Sequence, residues 1–431
     1  MQNKIVVNAK WMIGCKIIQS LIQFAVGVLS ARYLGPSHYG LINYAASLVA
    51  LFIPLMELGL HNTLVQEYID DPETESEIVG TSLIMNITAA IACMFGVLFV
   101  ANVINGGDEL AILVCVLYSG SLFFQALSML QYWFQAKLLS KYSSMAMLIA
   151  YVAVSAYKIF LLVSGKSVLW FALSLTVEYG VTGILLFLVY CRVGTPKLRF
   201  SCSRMVKLFS KSKYYIVSSI MVVVFNKIGN IFLSQLCGET ANGYYSAALT
   251  CTCITTFVFL AIIDTARPVI LESKKKSQGD FEKNISLVYG IVTWLSLLQS
   301  VFIVVFAKLI IRILYGEAFL LAVPVLQILV WNTAFNYMGY IRNIWILGEG
   351  KHSVLWIINL CGALVSILLN GALIPKWGAN GAALASVITQ LFTNVIMGCL
   401  LKPIYRNNQL LMRGMNPKPL LELIRNWVCS K

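Results

Sequence analysis

The chain has 431 residues, 59% of them hydrophobic and only 12% charged, with a mean hydropathy of +0.80. A soluble domain carries roughly a quarter charged residues, so this composition excludes a soluble globular enzyme. The net charge of +14 would suit nucleic acid, but the Lys and Arg residues crowd into gaps between apolar runs, which points to a membrane surface and no nucleic-acid partner.

The apolar runs predict an all-α integral membrane protein with about twelve transmembrane helices. Six lie near 13–34, 39–60, 78–100, 110–134, 145–163 and 168–190. Six more lie near 214–236, 244–264, 285–306, 319–347, 353–374 and 381–401. Each is close to the ~20 residues that cross the hydrocarbon. Met1–Lys10 is polar and the first apolar run is a full span, so no cleavable leader is expected. The expected organisation is an N-terminal six-helix lobe over 1–190, a basic cytoplasmic linker over 191–213, and a C-terminal six-helix lobe over 214–401. A cytoplasmic tail over 402–431 would carry an interfacial amphipathic helix, with Leu420, Leu423, Ile424 and Trp427 on its apolar stripe.

With Met1 inside, 23 Lys and Arg fall in one set of gaps and 5 in the other, which predicts cytoplasmic N- and C-termini in a bacterial inner membrane. The outer gaps are too short for a catalytic domain. The acidic run Glu67–Glu77 reads as a solvated loop, and the basic run Ser273–Lys276 as a loop in contact with lipid.

A short repeat relates the halves. Leu34–Gly40 followed by Tyr44-Ala-Ala46 recurs as Cys237–Gly243 followed by Ser246-Ala-Ala248, with paired glycines at 35 and 40 and at 238 and 243. Six spans per half make the repeats parallel, as in transporters that rock two halves about a central cavity.

Polar residues inside the spans carry the functional reading. Lys16, Gln19 and Gln23 share one face of the first span, and Gln125 and Tyr132 share one of the fourth. Asn226, Lys227 and Asn230 sit mid-span in the seventh, Asn332, Asn336, Tyr340 and Arg342 in the tenth, Gln390 and Asn394 in the twelfth. Hydrogen bonding between helices accounts for isolated polar residues; five stripes suit a hydrated cavity. The cations Arg32, Lys227, Lys16, Lys158 and Arg342 imply an anionic substrate, a phosphate or diphosphate in the simplest case, because a cation in hydrocarbon is costly. Amides and aromatic faces suit sugars. Glu57, His61, Glu178 and Asp264 are candidates for H⁺ or Na⁺ coupling, or else compensate Lys227 and Arg342. The eleven Cys form no C-x-x-C pair and the three His are scattered, so no metal site or cofactor is expected. No Walker A, G-x-S-x-G or H-E-x-x-H sequence is present, and no enzyme is expected.

Four stretches bear a family likeness. Ala31–Gly40 (Ala-Arg-Tyr-Leu-Gly-Pro-Ser-His-Tyr-Gly) and Met56–Leu60 resemble the first outer turn and second-span ending of Wzx-type polysaccharide flippases. Tyr315–Phe319 with Ala322–Leu329 is similar to their ninth-to-tenth connection. Leu369-Asn370, Ile374-Pro375 and Trp377–Ala383 are similar to their eleventh-to-twelfth connection. This resemblance to the multidrug/oligosaccharidyl-lipid/polysaccharide exporter superfamily implies two six-helix lobes and alternating access. The substrate it implies is an undecaprenyl-diphosphate-linked repeat unit for O-antigen, capsule or other exopolysaccharide. It also implies a diphosphate-facing role for Arg32 in the matching turn, and a polymerase and chain-length regulator as partners. Lipid II flippases of the superfamily carry two further helices, so the twelve-span pattern favours the polysaccharide branch. A cation-coupled multidrug exporter and, from another class, a membrane glycosyltransferase or polymerase are the alternatives.

Overall fold

The computed structural model describes residues 2–194 and 198–417, which are helices joined by short turns with no strand among them. They divide into two compact units, Met1–Gln235 and Leu236–Lys431.

The first unit holds α1 (Gln2–Met56), α2 (Leu64–Asp70), α3 (Glu75–Ile104), α4 (Glu109–Ser128), α5 (Leu130–Ala136), α6 (Ser140–Val163), α7 (Val168–Val193) and most of α8 (Cys202–Cys237). The second holds α9 (Glu239–Cys253), α10 (Thr256–Lys276), α11 (Gln278–Tyr315), α12 (Ala322–Leu329), α13 (Trp331–Gly348), α14 (Val354–Leu391), α15 (Met397–Leu400) and α16 (Tyr405–Met415).

Among the described residues eight helical runs are long and apolar enough to cross a membrane, or nine when α9 and α10 count as one bent span. Two of the eight are double. The 43-residue run Gly14–Met56 would reach roughly 65 Å at 1.5 Å per residue, about twice the ~30 Å of hydrocarbon. It breaks at Gly35, whose backbone stands at φ 71° and ψ 174°. Val354–Leu400 is 47 residues long and breaks at Gly378 (φ 54°). With α12 and α13 supplying the tenth predicted segment, each of the twelve falls mostly in helix.

The repeated turn is visible in the backbone. Gly238 stands at φ 84° and ψ 169°, close to the values at Gly35. A side chain is essentially excluded from that region, so each half starts with the same glycine-dependent break.

Small residues let these helices approach. Gly120 of α4 lies under Thr176 of α7, and Gly183 of α7 lies on the Phe124 carbonyl and Leu127 of α4. The Thr176 hydroxyl donates to the Leu117 carbonyl at 2.8 Å, the usual glue between membrane helices. Tyr44, Leu48 and Val49 of α1 pack against Val97, Val114 and Leu122 in the same core. In the second unit Phe259 stacks on Tyr337 with centroids 4.4 Å apart, within a core built around Tyr289, Ile341 and Trp345.

Two features bear on the expected organisation. The units divide at Gln235, inside the seventh span, and not at the 191–213 linker. The reason is that α8 touches the first half at both of its ends, through Arg204 and Lys211 on Glu67 and through Ile231 and Gln235. Ile231 joins that unit's core, and Gln235 Nε2 donates to Asn105 Oδ1 at 2.7 Å and to the Tyr44 hydroxyl at 3.0 Å. The tail also begins with a packed helix: α16 lies on α11, where a Cβ at Gly414 would stand 2.4 Å from the Ser286 carbonyl oxygen. Tyr289 donates to Asn407 Oδ1 at 3.0 Å, and Glu282 takes a two-pronged bond from Arg406 (Nε 2.9 Å, Nη2 2.6 Å). The expected interfacial helix with Leu420 and Trp427 lies outside the described residues.

Candidate functional site

In the first unit a chain of titratable side chains runs across α1, α5, α6 and α7. His61 Nδ1 lies 3.1 Å from Glu57 Oε2, one helical turn on in sequence. Glu57 in turn interacts with Tyr132 of α5 and Tyr179 of α7. Tyr179 is also in the field of Glu178, which interacts with Lys158 of α6. Tyr151, two turns before Lys158 on the same face of α6, reaches both Gln19 of α1 and Glu178. Glu57 and His61 form one pair, Glu178 and Lys158 feel each other's charge, and Tyr179 lies in the field of both acids. An acid, a base and bridging phenols inside the membrane can hold or relay a proton or a small cation. Tyr151 and Tyr179 were not singled out from the sequence; the spacing from Tyr151 to Lys158 was the available signal.

Lys158, read from the sequence as a cavity cation, lies in the field of Glu178. Lys16, Gln23 and Arg32 lie along α1 and are exposed. On α8, Lys227 is half-buried, Asn230 is buried, and exposed Asn226 donates to the Val222 carbonyl at 2.7 Å. Gln125 is buried with its Oε1 outside any hydrogen bond, so it points into the first unit's packing and not to an open face. Trp133, beside Tyr132, is buried and donates to Glu75 Oε1 at 2.6 Å.

The second unit separates its polar residues. Asp264 of α10 and Tyr340 of α13 are both exposed. Asp264 follows the 42° bend between α9 and α10 by about two turns of helix. Asn332 and Asn336 are half-buried on the same helix as Tyr340.

Arg342 departs from expectation. It is 6% exposed and its Nη1 donates to the Thr393 carbonyl at 2.8 Å. Thr393 belongs to a π-helical turn, Phe392–Ile396, in which the backbone register slips. The bond ties α13 to the twelfth span, so in this structure Arg342 is a buried contact between helices. Gln390 and Asn394 are likewise buried and bonded to each other at 2.6 Å, with Gly339 of α13 directly beneath Asn394. Neither faces a sugar path in this structure.

The acidic run is no solvated loop. Glu67, 2% exposed, is surrounded by Arg204 (3.6 Å), Lys207 (3.7 Å) and Lys211 of α8. Arg204 Nη2 also donates to Asp71 Oδ2 at 2.7 Å and Thr74 Oγ1 at 2.5 Å. The Arg204 hydrogen bond holds the Asp71 carboxyl below the usual carboxylate range. Positions 204, 207 and 211 recur at helical period, so the basic start of α8 presents one cationic stripe to one acidic turn. The backbone supports the dock: Arg199 N donates to the Ser76 carbonyl at 3.1 Å, and a Cβ at Gly80 would meet the Arg199 carbonyl oxygen at 2.4 Å. The second unit has its own pairs. Lys274 meets Glu349 and lies over the Phe281 ring, and Arg406 meets Glu282. The run 273–276 is therefore a packing element and not simply a lipid contact.

Comparison with known proteins follows the same lines. The chain is 22% identical over 400 residues to the capsular polysaccharide biosynthesis protein CapF of Staphylococcus aureus, covering 89% of this chain and 96% of that one. Its fold matches an inward-facing multidrug resistance MATE family transporter of the MOP superfamily with a TM-score of 0.73 and 16% identity, covering 92% and 96% of the two chains. It also matches the lipid II flippase MurJ in an inward closed conformation, with a TM-score of 0.71 and 16% identity, covering 96% and 92%. The model of the polysaccharide biosynthesis protein family covers residues 5–274, more than half of the sequence. A multi-span helical membrane protein of the MOP transporter fold, the chain belongs to the polysaccharide biosynthesis protein family.

Proposed function

We propose that the protein is a flippase that carries undecaprenyl-diphosphate-linked oligosaccharide repeat units from the cytoplasmic to the outer leaflet by alternating access. One observation carries this reading: a member of a polysaccharide biosynthesis family, with a transporter's fold, keeps Lys227 in the middle of a membrane helix between Asn226 and Asn230. A lysine at that depth is costly unless it meets a polar path, and an anionic headgroup is what a cationic path favours. Arg32 and Lys16 on the exposed face of α1 add to it, and Arg32 has the fork that takes two phosphate oxygens. The polyprenyl tail would remain in lipid while the diphosphate and glycan cross.

The network from His61 to Lys158 supports coupling to H⁺ or Na⁺, with Glu57 and Glu178 as the acids. That network and the MATE-type fold also favour a second reading, a cation-coupled drug exporter. The two readings differ in the sign of the cargo. Purified full-length protein is expected to bind a polyprenyl-diphosphate oligosaccharide at least tenfold more tightly than an organic cation such as ethidium. Lys227→Gln and Arg32→Gln are each expected to weaken it three- to tenfold, about 1 kcal/mol per charge-assisted contact. Tighter ethidium binding, with both variants indifferent to the diphosphate, would put drug export first.

A further inference from the structure

Near the basic start of α8 the surface of the first unit opens into an apolar groove of about 520 Å³, the size of a ligand pocket. Its walls are Met85 and Ala89 of α3 and Met205, Val206 and Phe209 of α8, with Lys213 the one cation on the lining. Val206, Phe209 and Lys213 are exposed, so the groove is open on the α8 side.

Its depth in the membrane can be judged from helix length. The 36 residues of α8 reach roughly 54 Å, well beyond the ~30 Å hydrocarbon, so the turns before Lys213 stand in the headgroup region. The groove thus joins a methylene-lined trough to an ammonium at the boundary where phosphates lie.

We infer that this groove is a binding site for one anionic glycerophospholipid of the leaflet on the protein's basic side, with an acyl chain between α3 and α8 and its phosphate on Lys213. The charge supports a lipid of that sign. Lys213 is the charged side chain on the lining, whereas Arg204, Lys207 and Lys211 belong to the opposite face of α8 and meet Glu67 and Asp71. Lys213 lies over the Tyr214 ring at 5.2 Å, which orients its ammonium without neutralising it. A lipid seated here would contact α3 and α8 at once and reinforce the acidic dock beside it. The site does not depend on what the protein transports.

The test is photo-crosslinking in nanodiscs with full-length protein and a phosphatidylglycerol that carries a diazirine on its acyl chain. Labelled peptides are expected from 85–89 and 205–213, with at least fivefold less label from the phosphatidylcholine analogue. That factor corresponds to about 1 kcal/mol per cation at the surface. Lys213→Gln should remove the headgroup preference while keeping the label, and Ala89→Phe should fill the trough and remove the label. Thermal unfolding of each variant checks that it folds. Thr88→Ala, on the outer edge of the lining, provides a second, conservative variant that should keep both. Labelling elsewhere, or labelling unchanged in Lys213→Gln and Ala89→Phe, overturns the site. Displacement by stoichiometric polyprenyl phosphate would give the groove to a prenyl chain and also overturn the phospholipid assignment.

Discussion

Replacing Glu67 with Ala is expected to destabilise the protein by about 3 kcal/mol, towards the lower end of what losing one partner of a buried ion pair costs. Glu67 is nearly inaccessible, and its loss leaves Arg204, itself 8% exposed, with Asp71 as its remaining acid. Lys207 and Lys211 are about half exposed and recover water, which is why the loss is not larger. The comparison is Glu272→Ala, whose partner Lys276 lies 3.6 Å away on an open surface; an exposed pair contributes no more than about 1 kcal/mol. Thermal unfolding in detergent measures both, and amide exchange over 198–213 locates the effect. A cycle with Arg204→Ala should show non-additivity, since the two residues act as one contact. Equal losses for Glu67→Ala and Glu272→Ala would mean that α8 is not docked through the acidic turn.

The same dock should weaken in acid. A carboxyl whose folded pKa is depressed contributes stability that is complete above its unfolded pKa and is lost as pH falls through the folded value. Arg204 holds Asp71 low, and Arg406 does the same for Glu282 in the second unit. Both contributions are therefore intact at neutral pH and disappear progressively below about pH 4. Asp71→Asn should flatten that part of the profile.

Gly35→Ala and Gly238→Ala are each expected to cost about 1–3 kcal/mol, the strain of a side chain in a sparsely populated backbone region. Crowding is not the cause, because a Cβ at either position would meet nothing within 4 Å. Gly27, a helical glycine of α1 with equally open space, is the control. There alanine should stabilise by up to about 1 kcal/mol through the backbone entropy that glycine loses on folding. Unfolding midpoints that fall for 35 and 238 and rise or hold for 27 would confirm that the repeated turn is a conformational requirement. A common response at all three would show that the break in each half tolerates any residue.

Much of the fold was legible because the bilayer imposes simple rules. Length and hydropathy placed each segment, and the short glycine turn at 35 and 238 revealed the repeat, since few residues can occupy that backbone region. Pairing between distant gaps was harder to see. Glu67 and Arg204 are 137 residues apart in sequence, and no local pattern says that an acidic turn and a basic helix start face each other. For the same reason α8 reads as the beginning of the second half, whereas its contacts place it with the first. Within the spans, polarity alone does not separate a residue on an open face from one locked between helices. Lys16, Arg32 and Asn226 are exposed, whereas Arg342 is bonded to a π-helical turn and Gln390 and Asn394 to each other. A π-turn has no signature in composition, so Arg342 looked from sequence like a twin of Lys227.

The most direct measurement is translocation of a fluorescent polyprenyl-diphosphate oligosaccharide across proteoliposomes that contain the purified full-length protein, with and without a proton or sodium gradient. A flippase should move the lipid to the opposite leaflet, and Lys227→Gln should reduce the rate at least tenfold while leaving the fold intact. Transport absent under every gradient, or equal in the wild-type protein and the Lys227→Gln variant, would contradict a cationic path for a lipid-linked glycan.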